Sequence, residues 1–233
     1  MISMLSVIGL GFGSGDQLTL QGARTLSECR WVGHFGLPPV LSQRLHRLAP
    51  TAINLDQAVF RDAGPFGVTA KAAQLAVSAA RAHERAAVAV LGNPSFGNPF
   101  TPVAAAVAAQ QNVTFEVVAA PSALDNYAGL LGNDLLRPAT LIADARDVLD
   151  HGYQLDHRVS LALWNTAYVP PGGRLALATR LIHTWGADWT VHVYRAGAAA
   201  PRDSLLAMPL ARDDLWLRAN IEDAMLLVPA RRH

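Results

Sequence analysis

Residues 9–19 read GLGFGSGDQLT and follow directly on Ile2–Ile8, an apolar run that predicts a first β-strand. Glycine carries no Cβ atom, so a loop this rich in glycine lets its backbone approach a ligand closely. Apolar residues at helical spacing predict a helix over Leu18–Glu28, and the first N–H groups of that helix have no partner within it. A strand, a glycine loop and a helix in this order indicate an α/β fold with a candidate ligand site at the loop.

Two other interpretations of this loop were weighed. A dinucleotide site would need glycine or alanine at the third fingerprint position, where the chain has Ser14. It would also need an acidic residue at the end of the second strand, and the predicted strand Trp31–Phe35 ends without one. A nicotinamide or flavin site is therefore disfavoured, whereas a plain strand-to-helix turn stays open as an alternative.

Strands and helices alternate along the rest of the chain. Ala-rich stretches such as Pro65–Glu84 predict helices, and the apolar run Ala87–Leu91 predicts a strand buried on both faces of a parallel sheet. Further strands are predicted at Val113–Val118, Leu141–Ala143, Val159–Trp164, Thr190–Tyr194, Ser204–Met208 and Ala224–Val228. The last two lie close together in sequence, which is typical of an antiparallel or mixed sheet. We therefore expect two α/β domains, residues 1–118 and 119–233, with a cleft between them.

Composition excludes several classes of protein. The chain has 233 residues, of which 51% are hydrophobic and 16% charged, with a net charge of +1, as expected of a compact globular protein. Its basic residues, all Arg except Lys71, are scattered among acidic ones, so no nucleic-acid partner is expected. No apolar run reaches the ~18–20 residues of a membrane helix, so no membrane partner is expected either. The single cysteine, Cys29, permits no internal disulfide and favours the reducing cytoplasm.

Two further loops follow predicted strands. Leu91–Gly97 reads LGNPSFG, and Ala120–Asp125 reads APSALD, with Ser122 as the expected helix cap. Between them, Thr101 and Pro102 are expected to open a helix as its N-cap and first-turn proline. Open α/β sheets bind ligands at the carboxyl ends of their strands, so both loops are candidate ligand contacts.

Together and in this order, the three loops resemble those of the tetrapyrrole methylase superfamily of S-adenosylmethionine-dependent methyltransferases. Members of that superfamily open with a GxGPGDxxxLT-like loop, matched by residues 9–19, and continue with a G-[DHN]-P loop, matched by Gly92–Pro94. A VxxxPGxSA-like segment is matched by Val117–Gly132, and a final strand ends in Val228-Pro229. Two stretches, DARDVL over residues 144–149 and LALWN over 161–165, are also similar to the borosin-type branch, which N-methylates peptide amides.

This resemblance implies a two-domain α/β fold with a mainly parallel N-terminal sheet and a mixed C-terminal sheet, flanked by helices. It implies that S-adenosylmethionine binds in the cleft between the domains and that the chain forms a homodimer. The residues it assigns to the methionine part of the cofactor are Leu91, Asn93, Phe96, Ser122 and Ala123. The residues it assigns to the adenosine part are Ala145, Trp164, Asn165 and Ala196.

Methyl transfer from a sulfonium requires alignment above all, so an acid–base triad is not essential. The eight His residues have no HxH or HxxxH spacing, and no metal site is predicted. The candidate catalytic residues are Asp16 to steer the acceptor, His34 as a base and Arg61 as a source of positive charge. Asp16 is equally explained as a helix-start carboxylate, and His34 as a satisfied strand-end residue.

Three functions are consistent with the sequence. The leading hypothesis is methylation of a peptide or other small specialised metabolite, although the region Phe66–Arg81 lacks the Tyr with which amide-methylating relatives activate their acceptor. The first alternative is C-methylation of a tetrapyrrole or corrin intermediate, whose carboxylates call for arginines, with Arg24, Arg44, Arg47 and Arg61 as candidates. The second alternative is a non-catalytic scaffold that binds S-adenosylmethionine.

Overall fold

The computed structural model describes residues 2–12, 16–56, 67–131, 135–136, 139–166, 169–195, 205–217 and 223–230. The chain divides into two compact units, Met1–Ser122 and Ala123–His233. None of the described helices is long and apolar enough to cross a membrane.

The first unit is built on a parallel sheet of five strands. The strands are β1 (Met4–Gly9), β2 (Trp31–His34), β3 (Ile53–Asn54), β4 (Arg85–Val90) and β5 (Thr114–Val118), in the order β3-β2-β4-β1-β5. The helices between them are α1 (Leu20–Glu28), α2 (Pro39–Leu48), α3 (Gly67–His83) and α4 (Phe100–Gln110). In the register of the central strand β1, Met4 pairs with Arg85 on one side and with Thr114 on the other.

Both faces of this sheet are covered, as expected for parallel strands joined by helices. One face packs against α3 and α4 through residues such as Val77 and Phe100. The other face packs against α1 and α2 through residues such as Leu26 and Leu45. The central strands are therefore apolar on both sides, which is why β4 reads as an uninterrupted apolar run after Arg85.

The second unit has a mixed sheet of five strands. Its strands are β6 (Thr140–Asp144), β7 (Ser160–Trp164), β8 (Thr190–Arg195), β9 (Leu205–Pro209) and β10 (Asp223–Val228), in the order β6-β7-β10-β8-β9. Strands β6 and β7 are parallel, while β10 runs antiparallel to both β7 and β8, and β8 to β9. The helices are α5 (Ala123–Leu131), α6 (Ala145–Asp150), α7 (Pro171–Trp185) and α8 (Asp213–Leu217). Helices α6, α7 and α8 close one face of the sheet around Leu177 and Trp185.

The predicted α/β class, with one parallel and one mixed sheet, is confirmed. Three short elements, β3, α6 and α8, were not predicted, because they are too short to show a period in the sequence. The expected N-cap Thr101 was wrong: α4 begins at Phe100, and the amide N–H of Phe100 donates to Asn98 Oδ1 at 3.0 Å. The hydroxyl of Thr101 donates instead to the carbonyl oxygen of Pro94 at 2.6 Å.

Candidate functional site

The carboxyl ends of three parallel strands meet at Gly9, the last residue of β1. A Cβ atom at Gly9 would lie 2.4 Å from the carbonyl oxygen of Gly92, 2.8 Å from Cδ of Pro94 and 2.8 Å from Cβ of Ala120. Only glycine leaves room for this approach, because all three neighbours belong to the two loops that follow β4 and β5. The three loops singled out in the sequence are therefore in contact within the first unit.

Backbone hydrogen bonds tie the first loop to the second. The N–H of Leu10 donates to the carbonyl of Val90 at 3.0 Å, and the N–H of Gly92 donates to the carbonyl of Gly11 at 2.9 Å. Gly92 has φ +70, and the ring of buried Phe12 would lie 3.0 Å from a Cβ placed there. A side chain at Gly92 would thus be strained by its backbone and would press on Phe12.

The second loop takes its shape from hydrogen bonds within itself. The side-chain oxygen of Asn93 accepts the N–H of Ser95 at 2.9 Å, and the carbonyl of Asn93 accepts the N–H of Phe96 at 3.0 Å. Leu91, Asn93 and Phe96 are all partly exposed. Such a loop presents a fixed set of side chains at a strand end instead of rearranging around a ligand.

The segment after β5 continues the same edge of the sheet. Ala120 touches Gly9, and Ser122, two residues further on, is 6% exposed. Ala123, the first residue of the second unit, is 2% exposed. The structure therefore brings Leu91, Asn93 and Phe96 to the edge at which the segment leading to Ser122 begins.

A second group of predicted residues comes together in the second unit, where β6 and β7 end. Asp144 pairs with Trp164 in the strand register, and the side-chain amide of Asn165 donates to Asp144 Oδ2 at 2.7 Å. Asp144 Oδ1 also accepts the N–H of Arg146 at 2.8 Å and so caps helix α6, at whose start Ala145 is fully buried. Ala145, Trp164 and Asn165 are therefore neighbours.

Asp144 was missed as a site residue in the sequence. The available signal was an acidic residue at a strand end directly before a helical stretch, which is a helix-cap pattern. Its neighbour Asn165 has φ +61, a left-handed conformation that costs a non-glycine residue about 1 kcal/mol or more. The hydrogen bond to Asp144 holds this conformation, and residues held this way cluster at ligand sites.

The candidate catalytic residues have different surroundings. Asp16 forms an ion pair with Arg44 of α2, and both side chains are largely exposed to solvent. Arg61 and Ala196, like Ser14, lie outside the described residues. Among the residues that the structure describes, no group of three or more His, Cys, Asp or Glu side chains is arranged to hold a metal ion.

His34, at the end of β2, is 1% exposed, and neither ring nitrogen has a hydrogen-bond partner among the described residues. Burial lowers the pKa of His34, and the nearby ring of His46 lowers it further, while Asp56 acts in the opposite direction. The two rings meet edge to face with their centroids 5.5 Å apart. His34 is therefore a neutral imidazole at neutral pH.

Comparison with known proteins gives a family and a fold. The family model described as Tetrapyrrole (Corrin/Porphyrin) Methylases matches residues 4–182. Among curated proteins, none matches the sequence significantly. The crystal structure of uroporphyrin-III-C-methyltransferase from Thermus thermophilus is similar, with a TM-score of 0.65 and 20% sequence identity over 98% of this chain and 93% of that one. At this identity the structural match establishes the fold.

We expect Gly9→Ala to destabilise the chain by the upper part of the ~1–3 kcal/mol that overpacking costs, because a backbone oxygen 2.4 Å away cannot move aside cheaply. The matched control is Gly129→Ala in helix α5, where a Cβ would meet nothing within 4 Å and should stabilise by up to ~1 kcal/mol. Urea unfolding of both variants measures the difference. Equal unfolding midpoints would contradict the convergence at Gly9.

We also expect His34 to make the fold sensitive to acid. Its folded pKa lies below the ordinary 6.5, so the unfolded chain takes up the proton first, and stability present above that value is lost as the pH falls. Replacement by Leu should therefore reduce the loss of unfolding free energy between about pH 7.5 and about pH 5.5.

The control for His34→Leu is His83→Leu, because His83 is exposed near the end of α3. Urea unfolding is measured at both pH values for the wild type and the two variants. If the free energy of unfolding of His34→Leu depends on pH as strongly as that of the wild type, the imidazole of His34 does not cause the acid sensitivity.

Proposed function

The chain belongs to the tetrapyrrole (corrin/porphyrin) methylase family, whose members are S-adenosylmethionine-dependent methyltransferases, and from this we propose that it methylates a carbon atom of a tetrapyrrole or corrin intermediate. The observation that carries the proposal is the family match over residues 4–182, together with the meeting of the three family loops at Gly9. The acceptor class is supported by the similarity to a structure named as a uroporphyrin-III-C-methyltransferase.

The described residues fit the methyl donor. The first and second loops are in contact at the carboxyl end of a parallel sheet, which is where such sheets bind nucleotide-like ligands. In the second unit, the side-chain NH₂ of Asn165 donates a hydrogen bond to Asp144, and the side-chain oxygen of Asn165 has no partner among the described residues. When bound, S-adenosylmethionine supplies a methyl group activated by a positively charged sulfonium.

We assign the contacts to this donor residue by residue. Leu91, Asn93, Phe96, Ser122 and Ala123 are proposed to bind its methionine part. Ala145, Trp164 and Asn165 are proposed to bind its adenosine part, with the indole of Trp164 as an apolar wall. Ala196 is proposed from the resemblance alone.

The chain contributes to the reaction by positioning the acceptor and by excluding water. Bringing the acceptor atom to ~3–3.5 Å from the methyl carbon supplies much of the barrier reduction, and apolar walls keep water away. Asp16 is proposed to steer the acceptor and Arg61 to supply positive charge. His34 is proposed as the proton acceptor from its place at the carboxyl end of β2.

A peptide acceptor is less well supported. It rests on two stretches similar to the borosin-type branch, residues 144–149 and 161–165. In the structure these stretches contribute Asp144 and Asn165, which bond to each other at the ends of β6 and β7. This contact lies within the chain and gives no support to a peptide acceptor.

Two measurements, made one after the other, test the proposed function. Calorimetry with S-adenosylmethionine and S-adenosylhomocysteine should show binding of both, and failure to bind either would refute methyl transfer. Incubation with S-adenosylmethionine and uroporphyrinogen III, followed by mass spectrometry, should then show a gain of methyl groups on the macrocycle. Donor binding without such a gain would exclude uroporphyrinogen III as the acceptor, and the same assay with corrin intermediates would follow. Failure with these too would refute the tetrapyrrole class, and peptide acceptors would then be assayed.

We expect Asn165→Gly to weaken binding of S-adenosylhomocysteine about tenfold, the equivalent of ~1.4 kcal/mol, because glycine keeps the left-handed backbone but removes the carboxamide. Asn112→Gly is the matched control, since Asn112 also has positive φ, at 54, and is exposed after α4. Calorimetry measures the affinity of both variants for S-adenosylhomocysteine. If the two bind alike, Asn165 does not contact the donor.

A further inference from the structure

Helix α2 presents one apolar face with arginines at its edge. Leu45 lies four residues after Leu41 and three before Leu48, and Arg44 lies three residues after Leu41 and four before Leu48, so these side chains lie on the same side of the helix. Leu10 and Leu18, which flank the first glycine loop, complete a groove with them. The groove has a volume of about 310 Å³, at the lower end of the range for small-molecule sites.

The groove has an apolar floor and a basic rim. Leu10, Leu41 and Leu45 are at most 4% exposed, whereas Leu48 at its edge is 46% exposed. Arg44 and Arg47 also line the groove, and α2 carries no acidic residue. An apolar cavity bordered by guanidinium groups is complementary to a molecule that is apolar at one end and anionic at the other.

The two arginines differ in their engagement. Arg44 is paired with Asp16 of the first loop. Arg47 is exposed, and the described part of the chain provides it with no ion pair or hydrogen bond. Arg47 can therefore bind an anion without breaking an existing contact. The guanidinium of Arg44 can bind a second oxygen of the same anion.

We propose that this groove binds an amphipathic carboxylate, with its hydrocarbon chain on the leucines and its carboxylate on Arg47 and Arg44. The volume holds about ten groups the size of a water molecule, at ~30 Å³ each, which corresponds to a chain of medium length. This site is separate from the residues proposed for the methyl donor. Because Arg44 also holds Asp16, a carboxylate on Arg44 competes with that contact and so couples the groove to the first loop.

The test uses decanoate as the probe, titrated into the full chain by calorimetry. We expect saturable one-to-one binding of decanoate and at least fivefold weaker binding of decan-1-ol, which has the same chain and no charge. Butyrate should bind more weakly than decanoate because it leaves most of the leucine surface uncovered. Equal affinities of decanoate and decan-1-ol, or no binding of decanoate at millimolar concentration, would overturn the proposal.

Two pairs of variants locate the site. Arg47→Gln should weaken decanoate binding about fivefold, while Arg81→Gln, at an exposed arginine of α3, should leave it unchanged. Leu48→Glu should abolish binding, while Leu75→Glu, at a leucine 43% exposed on α3, should not. Equal losses within either pair would show that decanoate binds elsewhere.

Decanoate binding is measured apart from methyl transfer, and it involves Arg44 and Arg47, which are also candidates to contact the carboxylates of a tetrapyrrole acceptor. Binding of S-adenosylhomocysteine is measured in separate titrations of the wild-type chain, so a failure of the proposed donor site and a failure of the groove give different results. Decanoate binding without donor binding would support the groove and refute only the proposed function.

Discussion

The missing side chain at Gly9 is the constraint on which the first unit depends. Three strands end beside it, and the loops that follow β4 and β5 come closer to its Cα than any Cβ would allow. A parallel sheet places such ends along one edge, but it does not by itself make the loops touch. The glycine lets them touch, and the hydrogen bonds between Leu10 and Val90 and between Gly92 and Gly11 then fix them. What the edge offers a ligand follows from this packing.

In the second unit, a charged residue rather than a glycine fixes the end of a strand. Asp144 caps a helix with one oxygen and holds the side chain of Asn165 with the other. One carboxylate thus sets both the start of α6 and the left-handed backbone of Asn165. Asn165 is one of the residues proposed to bind the methyl donor, and alignment of donor and acceptor lowers the barrier to methyl transfer.

The sequence predicted the fold class and the loops well, for physical reasons. Buried parallel strands leave uninterrupted apolar runs such as β4, and close-packed turns leave glycines. Contacts between residues far apart in the sequence were not predictable, because they leave no pattern along the chain. Examples are the ion pair of Asp16 with Arg44, the lack of a hydrogen-bond partner for the His34 ring among the described residues, and the hydrogen bond from Asn165 to Asp144. Thr101 shows the limit at close range, because helix α4 begins one residue earlier, where the N–H of Phe100 donates to Asn98 Oδ1. The acceptor leaves the weakest trace, since nothing in a methyl transfer demands a particular acid or base.

The interior position of β1 in its sheet has a consequence for biosynthesis. Its two neighbours are β4 and β5, so β1 is paired on both sides only after residues 85–90 and 114–118 have left the ribosome. Contacts this distant in sequence also slow folding, since a long loop must close for each. Until then the apolar face of β1 has no cover, and the nascent chain is at its most vulnerable to aggregation during the synthesis of its first half.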